Sequence, residues 1–162
     1  MLASPEAMDK SLLYEELARE LAALLEGGPT AIANAANASA LIYHRLPAIN
    51  WAGFYFLDGD ELMLGPFQGK PACVRIPVGK GVCGTAAAER RPVLVPDVHV
   101  FPGHIACDPD SRSELVVPLI KGEELLGVLD LDSPELGRFD ASDLAGCEML
   151  VEVFLDAFMR HL

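Results

Sequence analysis

No run in this 162-residue sequence approaches the roughly 18 apolar residues that a membrane span requires. The opening MLASPEAMDK has neither a basic start nor an apolar stretch, so no secretory leader is expected and the cytoplasm is the expected compartment. Positive charge is also scarce. Twelve Lys and Arg stand against 24 Asp and Glu, a formal net charge of −12 that repels phosphate backbones and argues against a nucleic-acid binder. There is no CxxC, and His44, His99, His104 and His161 show no metal-ligand spacing, so no zinc site and no metal or organic cofactor is expected. Repeats, low-complexity tracts and linkers are missing as well, which favours one domain over residues 1–162. At this length a real core forms without disulfides, and 51% hydrophobic with 22% charged residues is ordinary globular composition.

What is present divides into helical and extended stretches. DKSLLYEELARELAALLEGG repeats leucine at 13, 17, 21, 24 and 25, a helical stripe with Asp9 as candidate cap and Gly27-Gly28 as its stop. Thr30 is placed to cap an alanine-rich helix running to about Arg45. From residue 48 the period changes. INWAGFYFL, ELMLGPFQG and CVRIPV read as strands, with DGDE as the first turn. GVCGTAAAER is a short helix after a glycine-rich loop, and PVLVPDV a brief extended piece. Residues 97–113 form a long loop of the kind that is usually functional. ELVVPLI, KGEE and LLGVLDLD make a second hairpin that ends the sheet near residue 133. A last helix over about 141–160 carries Leu144, Cys147, Val151, Phe154 and Phe158 on one face. Terminal helices around hairpin-linked strands give an α+β domain with helices packed on an antiparallel sheet.

Chemistry concentrates in HIACDPDSRSE, where Cys107 sits among polar turn formers that no apolar stripe explains. Cys147, by contrast, belongs to the last helix's apolar face, where cysteine behaves as a small hydrophobe. Cys83 lies near a helix N-terminus, whose dipole lowers a thiol pKa, and packing against the sheet is the other reading for it. Cys73 starts or precedes a strand, where strand packing is equally open. A loop thiol with two possible partners fits sulfenic acid chemistry, in which a second thiol resolves the first. VLDLD sends Asp130 and Asp132 to the same sheet face, so mutual repulsion raises the pKa of one of them. Glu114 opens the partner strand. Trp51 and Tyr55, four apart on the first strand, share a sheet face suited either to core packing or to walling a small sulfur ligand.

Together NWAGFY, Cys73 and Cys83, GVCGTAA, HIACD with SRSE, and VLDLDS resemble the free methionine-(R)-sulfoxide reductases, which are stand-alone GAF-domain enzymes. The likeness is close over about residues 48–135. It implies a GAF-like domain with a six-stranded sheet, often homodimeric, that reduces free L-methionine (R)-S-oxide. It implies Cys107 as the nucleophile, with Cys83 and Cys73 as the thiols that resolve it, in an order left open. It further implies Trp51 and Tyr55 around the substrate methyl group, Glu114, Asp130 and Asp132 as acids of the substrate site, and thioredoxin as the reductant. The competing reading is a non-catalytic GAF module that senses a small ligand or a redox signal.

Overall fold

The computed structural model describes residues 5–105 and 107–159. Helix α1 (Pro5–Leu25) begins four residues before Asp9, so Asp9 lies inside the helix instead of capping it. Its stripe is real: Leu17, Leu21 and Leu25 are buried, whereas Leu24 faces solvent. Helix α2 (Ala31–Arg45) starts as the sequence predicts, with the Thr30 side chain accepting a hydrogen bond from the Ala33 amide. Strands β1 (Trp51–Asp58), β2 (Glu61–Gly69) and β3 (Arg75–Pro77) follow, the last shorter than expected and leaving Cys73 in the loop before it. Helix α3 (Gly81–Glu89) and strand β4 (Val93–Val95) lead into the long loop, which holds a 3₁₀ turn at Val98–Val100. Strands β5 (Ser113–Lys121) and β6 (Glu124–Ser133) form the second hairpin, and α4 (Ala141–Met159) ends the described chain. Residue 160, where that helix was expected to finish, lies outside the described residues.

The six strands run in the order β3-β2-β1-β6-β5-β4, every neighbouring pair antiparallel. The α+β expectation therefore holds, with the two hairpins meeting at the centre through β1 and β6. Alternation along each strand sends side chains to opposite faces. Ala52 and Phe54 of β1, Leu115, Val117 and Leu119 of β5, and Leu129 and Leu131 of β6 point to a core shared with α1, α2 and α4. Phe154 of α4 stacks on Phe54 with ring centres 4.6 Å apart, and Cys147 is buried in the same core. The other face carries Trp51, Tyr55, Val116 and Val128 and is covered by α3 and its flanking loops. Because both faces are buried, β5 reads as a nearly unbroken apolar run.

Helices α1 and α4 are joined by a polar knot as well as by apolar packing. Asp143, fully buried, accepts hydrogen bonds from the Tyr14 hydroxyl at 2.8 Å, Lys10 at 2.9 Å, Arg138 at 3.2 Å and the Asp140 amide at 2.9 Å. One carboxylate thus satisfies donors from α1, from the loop before α4 and from the α4 N-terminus. Among the described residues no helix is long and apolar enough to cross a membrane.

Candidate active site

Sheet register assembles the acids. Glu114 of β5 lies opposite Asp132 of β6, which lies opposite Trp51 of β1. Two residues along, Val116 faces Asp130, which faces Gly53. Cross-strand partners share a face, so Trp51, Glu114, Asp130 and Asp132 all project to the side covered by α3. Gly53 is required here: a β-carbon at that position would sit 2.3 Å from the Phe67 side chain and 2.8 Å from the Trp51 ring. Trp51 is stacked between Phe67 and Tyr55, with ring centres 5.1 and 5.9 Å away.

These residues floor a cavity of about 40 Å³, room for roughly three water molecules. Helix α3 contributes Cys83 from its first turn, the loop before β5 supplies Cys107, and the loop before β3 adds Lys70, Pro71 and Ala72. A disulfide joins Cys73 to Cys107, their Cα atoms 5.9 Å apart and 34 residues apart in sequence. Cys107 is exposed, whereas Cys83 is a buried free thiol.

Both thiol loops are tied to the sheet. The Trp51 indole N–H donates to the Lys70 carbonyl at 3.1 Å, and the Tyr55 hydroxyl donates to the Cys73 carbonyl at 3.0 Å. The two aromatics therefore hold the Cys73 loop with their polar tips while their rings line the cavity. On the other loop, Asp108 is held by the Asn50 side-chain amide at 3.3 Å and accepts from the Asp110 amide at 2.9 Å. Lys70 reaches across to Asp108 at 3.7 Å and Asp110 at 3.0 Å, linking one thiol loop to the other.

Burial dominates the electrostatics. Glu114 is held well above the usual carboxyl range by burial and then by the charge of Asp132. Asp130 is raised by burial, with the Glu114 carboxyl beside it adding to the effect. Asp132 is raised by the same loss of solvent, reinforced by Asp130 and Asp108. All three acids thus shift upward together, where the sequence pattern pointed to one. Of the two readings for Cys83, packing against the sheet is the one that holds. Its thiol is pushed up by burial and by Asp130, Glu114 and Asp132, which overwhelm the helix dipole; it donates to Glu114 Oε1 at 3.9 Å. His104, from the Cys107 loop, lies 3.7 Å from Glu114 Oε2, and burial lowers its pKa.

The structure brings seven of the eight sequence-selected positions, Trp51, Tyr55, Cys83, Cys107, Glu114, Asp130 and Asp132, to this one cavity, and the eighth, Cys73, is bonded to Cys107. Sequence reasoning did not select Asn50, Lys70, His104, Asp108 or Ser111. All but Lys70 fall inside the quoted NWAGFY, HIACD and SRSE stretches, so adjacency to those stretches was the signal. Lys70 carried none.

A cavity on one face of a six-stranded antiparallel sheet, roofed by loops and one short helix, is the architecture of GAF domains. The GAF domain family matches residues 9–160, and the chain is a GAF domain. Its relatives narrow this further. It is 55% identical over 144 residues to the free methionine-R-sulfoxide reductase of Escherichia coli, covering 89% of this chain and 87% of that protein. To the enzyme of that name from Saccharomyces cerevisiae it is 44% identical over 154 residues, covering 90% and 86%. The structure of the Neisseria meningitidis free methionine-R-sulfoxide reductase in complex with its substrate superposes with a TM-score of 0.90 at 40% identity, over 99% of this chain and 95% of that one. The chain belongs to the free methionine-R-sulfoxide reductase family.

Proposed function

We propose that the chain reduces free L-methionine (R)-S-oxide to L-methionine at this cavity, with Cys107 as nucleophile and Cys73 as the thiol that resolves it. The observation that carries the assignment is the Cys73–Cys107 bridge over a floor of raised-pKa acids and stacked aromatics. In the first step the Cys107 thiolate attacks the sulfoxide sulfur while the oxygen takes protons. Glu114 and Asp130 suit that transfer, because burial favours the protonated form of each and a carboxylic acid is a competent donor. The S–O bond breaks as the oxygen leaves as water and a Cys107–methionine S–S bond forms. Water then attacks the Cys107 sulfur and breaks that bond, so methionine leaves with its sulfur reduced by two electrons and Cys107 becomes a sulfenic acid. The Cys73 thiol then attacks that sulfur and expels water, giving the disulfide. An external dithiol of the thioredoxin class accepts the bridge by exchange and returns both thiols.

In this reading Trp51 and Tyr55 enclose the substrate methyl group, and a carboxylate among Glu114, Asp130 and Asp132 receives the substrate ammonium. Cys83 has its thiol shielded and its proton held by burial, so it is the weaker candidate for resolving Cys107. The family likeness carries homodimerisation as a further part of the proposal, and a reducing cytoplasm as its setting. The test is a single-turnover experiment with separated R and S sulfoxides, free and peptide-bound. Cys107→Ser is expected to release no methionine. Cys73→Ser is expected to release one methionine per chain and then stall. Substantial turnover by Cys107→Ser would overturn the nucleophile assignment, and a lost first turnover in Cys73→Ser would overturn the division of roles.

A further inference from the structure

The two thiol loops are fastened to the sheet at separate points, and one side chain spans the gap between them. The Cys73 loop is held at its Lys70 carbonyl by the Trp51 indole and at its Cys73 carbonyl by the Tyr55 hydroxyl. The Cys107 loop is held at Asp108, whose carboxylate accepts from the Asn50 side-chain amide at 3.3 Å and from the Asp110 amide at 2.9 Å. Lys70 Nζ lies 3.0 Å from Asp110 Oδ2 and 3.7 Å from Asp108 Oδ1. Among the described residues no other hydrogen bond or ion pair passes directly between residues 70–74 and residues 97–112.

Position in the chain gives this contact its effect. Asp108 is next to Cys107, and Lys70 is three residues from Cys73. Three extended residues reach about 11 Å at most, so a Lys70–Asp108 contact keeps the two cysteine backbones near each other when no bond joins the sulfurs. The bridge needs Cα atoms within about 7 Å, and they stand 5.9 Å apart here. We propose that Lys70 is a positioning residue for the redox step: by clasping Asp108 and Asp110 it holds the Cys107 loop against the Cys73 loop and raises the effective concentration of one thiol at the other.

The acid end of the clasp is already ordered. The Asp108 side chain is only 8% exposed and is fixed by its two other donors, so little freedom is lost there when Lys70 arrives. The ammonium meets two carboxylates, and Asp110 and then Asp108 raise its pKa, so it stays charged wherever thiol chemistry runs. Lys70 itself is 62% exposed, which keeps the effect modest and sensitive to salt. By linkage, whatever the clasp adds to closure of the bridge, the bridge adds to the clasp. The help given to the bridge is independent of the reductase reading; a part in resolving the Cys107 sulfenic acid rests on it.

The full chain equilibrated in glutathione redox buffers tests the clasp, with the Cys73–Cys107 bridge read by thiol alkylation and mass spectrometry. Closure passes two electrons and two protons from the cysteines to glutathione disulfide, giving two glutathione thiols. Lys70→Met is expected to shift this equilibrium toward the dithiol by about three- to tenfold, a rise in potential of about 14–30 mV at 29.6 mV per tenfold. Lys70→Arg is expected to restore most of the shift, and Asp110→Asn to add nothing once Lys70 is gone. Salt of about 1 M, where the Debye length is about 3 Å, is expected to move the wild type toward the Lys70→Met value and leave that variant in place. An unchanged equilibrium in Lys70→Met, or a shift that arginine does not reverse and salt does not reproduce, would overturn the clasp. With methionine (R)-sulfoxide, Lys70→Met is expected to slow disulfide closure by the same factor after methionine is released, with dimedone trapping more Cys107 sulfenic acid. Closure at the wild-type rate would remove Lys70 from the reaction. No methionine from the wild type would instead sink the reductase reading, and the glutathione equilibrium alone would then decide the clasp.

Discussion

Closing and opening the Cys73–Cys107 bridge changes the stability of the whole protein, by an amount that follows from chain length. The bridge spans 34 residues. In the chain-entropy account, a loop of that size removes about 12.6 cal/mol/K from the unfolded ensemble, or about 3.8 kcal/mol at 25 °C. Small proteins are stable by only about 5–15 kcal/mol, so this is a sizeable share. For a chain of this length each kcal/mol moves Tm by about 2–4 °C, which predicts that the oxidised form melts about 8–15 °C above the reduced form. The assay is thermal unfolding followed by circular dichroism, with and without dithiothreitol, on the wild type and on three cysteine variants. Cys73→Ser and Cys107→Ser are each expected to lose the difference entirely, because neither can close the loop. Cys83→Ser should retain it. A difference below about 1 kcal/mol would refute the loop-closure reasoning, and a difference abolished by Cys83→Ser would refute the pairing itself.

Other perturbations test the electrostatics and the packing. Glu114→Gln is expected to lower the rate of the first methionine release by about 10²–10⁴-fold, the usual worth of a positioned acid, measured by rapid quench. The wild-type rate should fall on the alkaline side along a limb above the ordinary carboxyl range; a rate independent of pH there would count against an acid donor. The same acids make stability depend on pH. Their folded pKa values are raised by burial from 3.8 for Asp and 4.5 for Glu. The associated stability is therefore complete below those values and declines as pH rises through the higher folded ones. Asp130→Asn should flatten that decline in urea titrations and be more stable than wild type at alkaline pH. Gly146→Ala should destabilise the protein by about 1–3 kcal/mol, since the new β-carbon would lie 2.1 Å from the Tyr14 ring; an unchanged denaturation midpoint would show that α1 and α4 slide freely.

Much of the architecture was legible because local signals agreed with the packing. Thr30 capping α2, the glycine stop after α1, and the strand pairs around DGDE and KGEE are short-range features that tertiary structure left alone. Asp9 misled because a helix extends upstream whenever nothing forbids it, and a cap is only a preference. Period two placed Asp130 and Asp132 on one face, and cross-strand register then brought in Glu114 and Trp51. Cys83 shows the limit. Position near a helix start suggested a lowered thiol pKa, but desolvation depends on what covers the residue, and that cover comes from β5, β6 and the loop above them. Lys70 was invisible for a related reason. Its part in joining two loops exists only once those loops, far apart in sequence, have been brought together.

The six strands form a partition with unequal tenants. Beneath it, three long helices knit a dense block whose aromatic and leucine contacts reach from one end of the chain to the other. Above it lies a thin cover of one short helix and two tethered loops. The side that holds the bridge is thus the lightly built one, joined to the partition by the polar tips of Trp51 and Tyr55.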